Sequence, residues 1–470
     1  MLTNPAAVAI REELTRRRFL CGGGSFAASA ALASLLAGAE KRQSRAPHFA
    51  PRAKRVISLF MSGGPSHVDL FDDKPILRKL DGKPMPKEII GNHEFAMIKS
   101  GEPRMKGSPF KLLPRGKSGT VISELLPRLS KVADEISVVR SLHTDTFNHD
   151  PAVTMMNTGF VTFGKPSMGA WLSWGLGSEN SDLPAYTVLV SGVKLQPLLT
   201  NYWGSGFLPS RHQGVQFRSK GDPVLFLSNP PGVDSGVRRR QLDLLGWMNS
   251  RHYDRVGDPE IRTRIEAFEL GYRMQSSVPG LMDISKEPQS VHELYGTKPG
   301  QVSFSNNCLL ARRLVEQGVR CVQLYHTGWD QHGTIEKDHR RQCAAVDQGA
   351  AALLVDLKSR GLLDETLVVW GGEFGRTPMA QGGGRNYGRD HHPHGFSVWM
   401  AGGGIKPGFT FGETDEYGYF ATEDKVHVHD LHATILHCLG LDHRRLVHRF
   451  QGRDFRLTDV EGRVVRELLA

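Results

Sequence analysis

Cysteine is scarce and its spacing suggests no pairing. Of five, four follow the first forty residues (Cys308, Cys321, Cys343, Cys438), and none stands in a C-x-x-C step. This argues against a zinc knuckle or a disulfide framework and for buried thiols or a single bridge. Long basic tracts are also missing. Lys and Arg total 59 against 49 Asp and Glu, a net charge of +10, yet the basic residues are scattered and beyond the N-terminal region the longest run is Arg238-Arg239-Arg240. A diffusely cationic surface excludes a nucleic-acid stripe and suits anionic ligands. No phosphate-binding P-loop, dinucleotide fingerprint or G-x-S-x-G elbow is present, and no internal repeat stands out. With 39% hydrophobic and 23% charged residues in 470, neither a disordered chain nor a polytopic membrane protein is expected.

The N-terminus stands apart. Thr15-Arg16-Arg17-Arg18-Phe19-Leu20 precedes an uncharged stretch of small and apolar residues that ends in Ala37-Gly38-Ala39. An arginine pair, an apolar stretch and an A-x-A site form the pattern of a twin-arginine export signal over residues 1–39. Cys21 precedes the apolar stretch rather than following it, which argues against lipidation. The expected product begins near Glu40, has no stable membrane anchor and is periplasmic or extracellular. A Pro/Arg-rich linker over 40–54 leads into a domain over 55–470.

In that domain, short apolar runs at 55–64, 136–141, 185–190, 319–326, 366–375 and 396–404 read as buried strands. Helical patterns lie between several of them, at Ser123–Asp134, Ser167–Leu176, Asn306–Gln317, Ile335–Arg360 and Val428–Leu439. Strands without polar alternation, separated by helices, predict an α/β fold with a doubly wound, mostly parallel sheet and helices on both faces. Residues 196–300 break this rhythm and are expected to form an inserted cap over the sheet.

Polar clusters follow the strands, where such folds gather their chemistry. They are His67 and Asp69; His149 and Asp150; Asp330 and His332; Glu373 with Arg376; and His391, His392 and His394 in the run HHPH. Imidazole and carboxylate without thiolate is the ligand mix of a catalytic divalent-metal site, with Zn or Mn favoured over Ca or Mg. Arg376 is a candidate clamp for an oxyanion. Two ions about 4 Å apart would suit hydrolysis of a phosphate or sulfate ester.

The motifs SGGPSHVDLFD, NHDPAVTMMNTG, WDQHG, GGEFGRTP, GRDHHPHG, AGGGIKPG and HDLHATILHCLG occur in this order behind the export signal. Together they resemble the bacterial exported family known as domain of unknown function 1501, which is similar in fold to the alkaline phosphatase and sulfatase superfamily. The resemblance implies a metal site at the carboxyl edge of the sheet, with His67, Asp69, Asp330, His332, Glu373 and His394 as ligands. His394 is the strongest of these, and His391 and His392 could replace the imidazole lost where Glu373-Phe374 stands for an Asp-His pair. In the superfamily the nucleophile stands ten residues before the glycine of a helix ending in Thr-Gly. Here that position is His149, not serine, threonine or formylglycine.

Three routes follow: His149 holds a metal that activates water; His149 is itself nucleophile or base with Asp150 orienting its ring; or catalysis is lost. The expectation is an exported metal-dependent hydrolase of an anionic small-molecule or glycan ester. The alternative is a non-catalytic module that binds an anionic glycan or a protein.

Overall fold

Apolar runs with no polar alternation need cover on both sides, and the computed structural model supplies it. The structure describes residues 46–91, 95–98, 103–193 and 198–470. The export signal expected at 1–39, the first part of the 40–54 linker and the first residues of the 196–300 segment lie outside the described residues. Nine strands form one sheet: β1 (Arg55–Ser62), β2 (Ile136–His143), β3 (Tyr186–Gly192), β4 (Val215–Phe217), β5 (Cys321–Thr327), β6 (Thr366–Gly371), β7 (Phe396–Ala401), β8 (Phe409–Phe411) and β9 (Val426–His427). Their order is β8-β2-β7-β6-β1-β5-β3-β4, with β9 beside β2. Only β7 runs antiparallel to its neighbours; the other pairings are parallel.

The principal helices are α1 (His149–Thr158), α2 (Met168–Leu176), α3 (Ser235–Val256), α4 (Pro259–Met282), α5 (Phe304–Glu316), α6 (Ile335–Ser359) and α7 (Val428–Cys438). Side chains alternate across a strand, so Ile57, Leu59 and Met61 of β1 join the core that includes α5 and α6. Val56 and Phe60 point the other way and join the core formed with α1, α2 and α7. The doubly wound α/β expectation therefore holds, with helices on both faces. Each large apolar side chain buried in these cores is worth about 1.5–3 kcal/mol. The four described cysteines are buried free thiols. Among the described residues no helix is long and apolar enough to cross a membrane.

Two local expectations need correction. The pattern read as a helix over Ser123–Asp134 is the end of a short strand followed by a 3-10 helix at Leu129–Glu135. Pro127 is the physical reason, since it has no N–H to give and disfavours the helical region for Leu126. The 196–300 segment contributes the edge strand β4 as well as the hairpin of α3 and α4. The charged helical pattern that the sequence carries at Pro259–Gln275 covers only part of α4.

The winding direction changes at β1, which lies between β5 and β6. A crevice beyond the carboxyl ends of strands is expected at such a reversal, and the loops after β1, β5 and β6 carry Gly63, Asp330 and Glu373.

Candidate metal centre

Four segments distant in sequence meet at this edge. His149 is the first residue of α1, Asp330 and His332 leave β5, and His391 lies on a two-residue ribbon in which His391 pairs with Arg376 and His392 with Gly375. The Nε2 atoms of His149, His332 and His391 lie 3.2, 2.8 and 3.3 Å from one oxygen, Asp330 Oδ1. Among the described residues this is the one group of three or more potential ligands whose donor atoms all lie within 4.8 Å of one another.

Hydrogen bonds behind the rings fix their orientation. Glu373 Oε1 lies 2.6 Å from His149 Nδ1, and Gln381 Oε1 lies 2.5 Å from His332 Nδ1. Both oxygens can only accept, so each Nδ1 carries a proton and each ring presents its Nε2 to the centre. Glu373 is itself fixed, because the Gly63 N–H donates to both of its carboxylate oxygens, at 2.8 and 3.1 Å. Gly63 adopts φ +120°, and a Cβ there would meet Asp330 N at 2.3 Å. Only glycine lets the β1 turn pass this close to the Asp330 loop.

The electrostatics suit a cation. Burial alone would raise the Asp330 pKa, but hydrogen bonds from His149, His332 and His391, with the Arg376 charge, hold it well below the usual carboxylate range. Burial likewise opposes the charged form of His149, yet the Asp330 and Glu373 carboxylates outweigh it and raise its pKa. His391 is pushed down to about 4, chiefly by burial, and is therefore neutral near pH 7. His391 Nδ1 is buried and lacks a hydrogen-bond partner. Three imidazoles and a carboxylate, with one ring nitrogen orphaned, fit a borderline divalent metal. The side chains of His149, Asp330 and His332 keep 17, 22 and 25% of their surface exposed, so the cluster opens to solvent on one side.

The other sequence candidates have different partners. Arg376 is buried and its donors are already engaged: Nε bonds Gly64 O (2.9 Å), Nη1 bonds Arg389 O (3.0 Å), and Nη2 reaches Trp329 O (3.3 Å), Gly63 O and Asp330 Oδ1 (2.7 Å). It fastens three loops and Asp330 in place and is not presented as a clamp for an oxyanion. Asp150 does not orient the His149 ring; its Oδ1 accepts from the Tyr202 hydroxyl at 2.8 Å, a contact that brings the 196–300 segment to the site. Asp69 forms a buried ion pair with Arg389 at 2.7 Å. His67 Nε2 lies 2.8 Å from Gly418 O.

The HHPH run divides by strand alternation. His391 faces the cluster, whereas His392 Nε2 bonds Tyr419 O, and His394 packs against His392 and Phe420. Glu373 stands behind His149 as its anchor. Gln381 was missed in the sequence, and its one signal is its position before the glycine triplet 382–384. Gly159, at φ +74°, ends α1 where a Cβ would meet Leu457 O at 1.9 Å, which explains the Thr-Gly ending.

A doubly wound α/β domain with a histidine-carboxylate centre at its switch point defines the class. The chain belongs to the family described as protein of unknown function DUF1501, whose model matches residues 53–469. No curated protein matches the sequence. Among solved structures it is similar to a protein in the alkaline phosphatase superfamily from Vibrio parahaemolyticus, with 11% identity and a TM-score of 0.35, covering 84% of this chain and 68% of that one. It is also similar to the PsFucS1 sulfatase from Pseudoalteromonas sp. (12% identity, TM-score 0.34, 87% and 70% covered). A third is the phosphonate monoester hydrolase SpPMH from Silicibacter pomeroyi (13%, 0.32, 73% and 71%).

Proposed function

We propose that this chain is a divalent-metal-dependent hydrolase of phosphate or sulfate esters, acting on an anionic small-molecule or glycan ester. The convergence of three imidazole Nε2 atoms on the Asp330 carboxylate, with one side open to solvent, carries this reading. We propose one ion rather than two, because His149, Asp330, His332 and His391 form a single set, with Zn or Mn preferred by its nitrogen-rich donors. When bound, the ion would supply Lewis-acid polarisation of the ester oxygen and activate water.

The residues of the chain do the rest. Glu373 and Gln381 keep Nδ1 protonated in His149 and His332, Arg376 holds the Asp330 loop, and Tyr202 ties the 196–300 segment to the start of α1. The net positive charge favours approach of an anionic ester. His149 serves as a ligand in this scheme, because Glu373 occupies its Nδ1 and its Nε2 faces Asp330. The export signal at 1–39 remains part of the proposal; cell fractionation that finds the uncleaved chain only in the cytoplasm would remove it.

Elemental analysis after reconstitution, followed by assay on aryl phosphates and aryl sulfates, tests the function. About one ion per chain with ester turnover that chelation abolishes is expected. A chain that takes up no divalent metal would overturn the enzyme reading.

Metal uptake should depend on pH with a definite sign. His149 carries a raised pKa in the metal-free protein, and binding must displace that proton. Affinity should therefore fall as pH drops below the raised value, by up to about tenfold per pH unit, and level off above it. In the metal-free protein the imidazolium adds stability that is fully present below the ordinary value of 6.5 and is lost as pH rises through the raised one. Calorimetric titration in buffers of different ionisation enthalpy should show about one proton released per ion at pH values below the raised one. Affinity that stays flat over the histidine range would contradict this.

A further inference from the structure

We propose that the outward face of α3 is a peripheral docking surface for anionic lipid headgroups. Helix α3 buries a single residue, Leu242. Its outward face instead carries Leu244, Trp247 and Met248, which are 57, 60 and 53% exposed. A helix that shows more large apolar surface to solvent than to its own core points to a partner.

Charge identifies that partner. Arg240, Leu244, Trp247, Met248, Arg251 and Arg255 follow one another at steps of four, three, one, three and four, which places them on one side of the helix over about 22 Å. Arg240 precedes the apolar group, and Arg251 and Arg255 follow it. All three arginines are exposed, and none forms an ion pair among the described residues, whereas Arg239 turns inward to Glu269 and Asp243. Arg251 lies over the Trp247 ring, 5.6 Å from its centroid.

Apolar side chains bracketed by unpaired arginines on one exposed helix face match a surface that lies at headgroup depth, with the indole and aliphatic groups at the acyl boundary and the guanidinium groups on phosphates. A second copy of the chain is a poor occupant, because a symmetric contact would set these arginines against one another. The docking is reversible and adds no membrane span.

Co-sedimentation of the purified chain with vesicles tests the proposal. The chain should pellet with vesicles of phosphatidylcholine and phosphatidylglycerol but not with phosphatidylcholine alone, and added salt should release it. The variants Arg251→Glu/Arg255→Glu and Trp247→Ala/Met248→Ala should each weaken binding about tenfold or more while leaving the thermal melt unchanged, because the substituted side chains are exposed. Failure of the wild type to pellet with anionic vesicles would overturn the proposal, as would undiminished binding by both variants. Equally tight binding to heparin and polyglutamate, insensitive to Trp247→Ala/Met248→Ala, would replace a lipid surface with a general polyanion site.

Discussion

Asp330→Asn should weaken metal binding by at least about a hundredfold, the upper end of what the loss of an outer hydrogen-bond partner costs a metal site. The carboxylate is the common focus of His149, His332 and His391 and the only anionic ligand in the set. Asparagine keeps the shape and an oxygen for the 2.7 Å bond from Arg376, so the fold should survive and the loss should be read as charge. Equilibrium dialysis followed by elemental analysis measures the content directly. An Asp330→Asn protein that keeps the wild-type ion stoichiometry at micromolar metal would remove Asp330 from the site and the single-ion scheme with it.

Arg376→Ala should cost about 3–5 kcal/mol of stability, because it leaves the Asp330 charge without its guanidinium partner and strips several buried carbonyls of their donor. The carbonyls are those of Gly63, Gly64, Trp329 and Arg389, each on a loop that frames the centre. Arg376→Lys should recover little, since a single ammonium cannot supply five donors in a planar fork. The readout is the midpoint of urea unfolding in chelator, which separates the effect from metal binding. If the metal-free variant unfolded at the wild-type midpoint, Arg376 would have no role as a staple, and its contacts with the loops would be incidental.

The two variants divide the work at the site. Asp330 acts on the ion, and Arg376 acts on the scaffold that presents Asp330. That division was invisible in the motifs GGEFGRTP and WDQHG, where an arginine near a carboxylate suggested substrate contact. Burial decides the matter: each of its three guanidinium nitrogens is bonded to a backbone carbonyl or to Asp330, and the group is shut off from solvent.

The sequence by itself determined the α/β class, because unbroken apolar runs alternating with helical patterns can be satisfied only by a sheet covered on both faces. It also placed the polar clusters at strand ends, and five of the six residues in and around the centre were among its candidates for metal or catalytic roles: His149, Asp330, His332, His391 and Glu373. Which side chains converge was left to the tertiary structure. His391 and His392 are adjacent and chemically identical, and only the ribbon pairing with Gly375 and Arg376 turns one toward Asp330 and the other toward Tyr419. His67 and Asp69 follow a strand as a ligand pair would, yet Arg389, 320 residues away, claims Asp69. Gln381 joins the site through a hydrogen bond to a ring 49 residues distant. Short-range spacing encodes which groups can reach a strand's end, whereas the choice of partner there depends on contacts between segments that the chain order does not bring together.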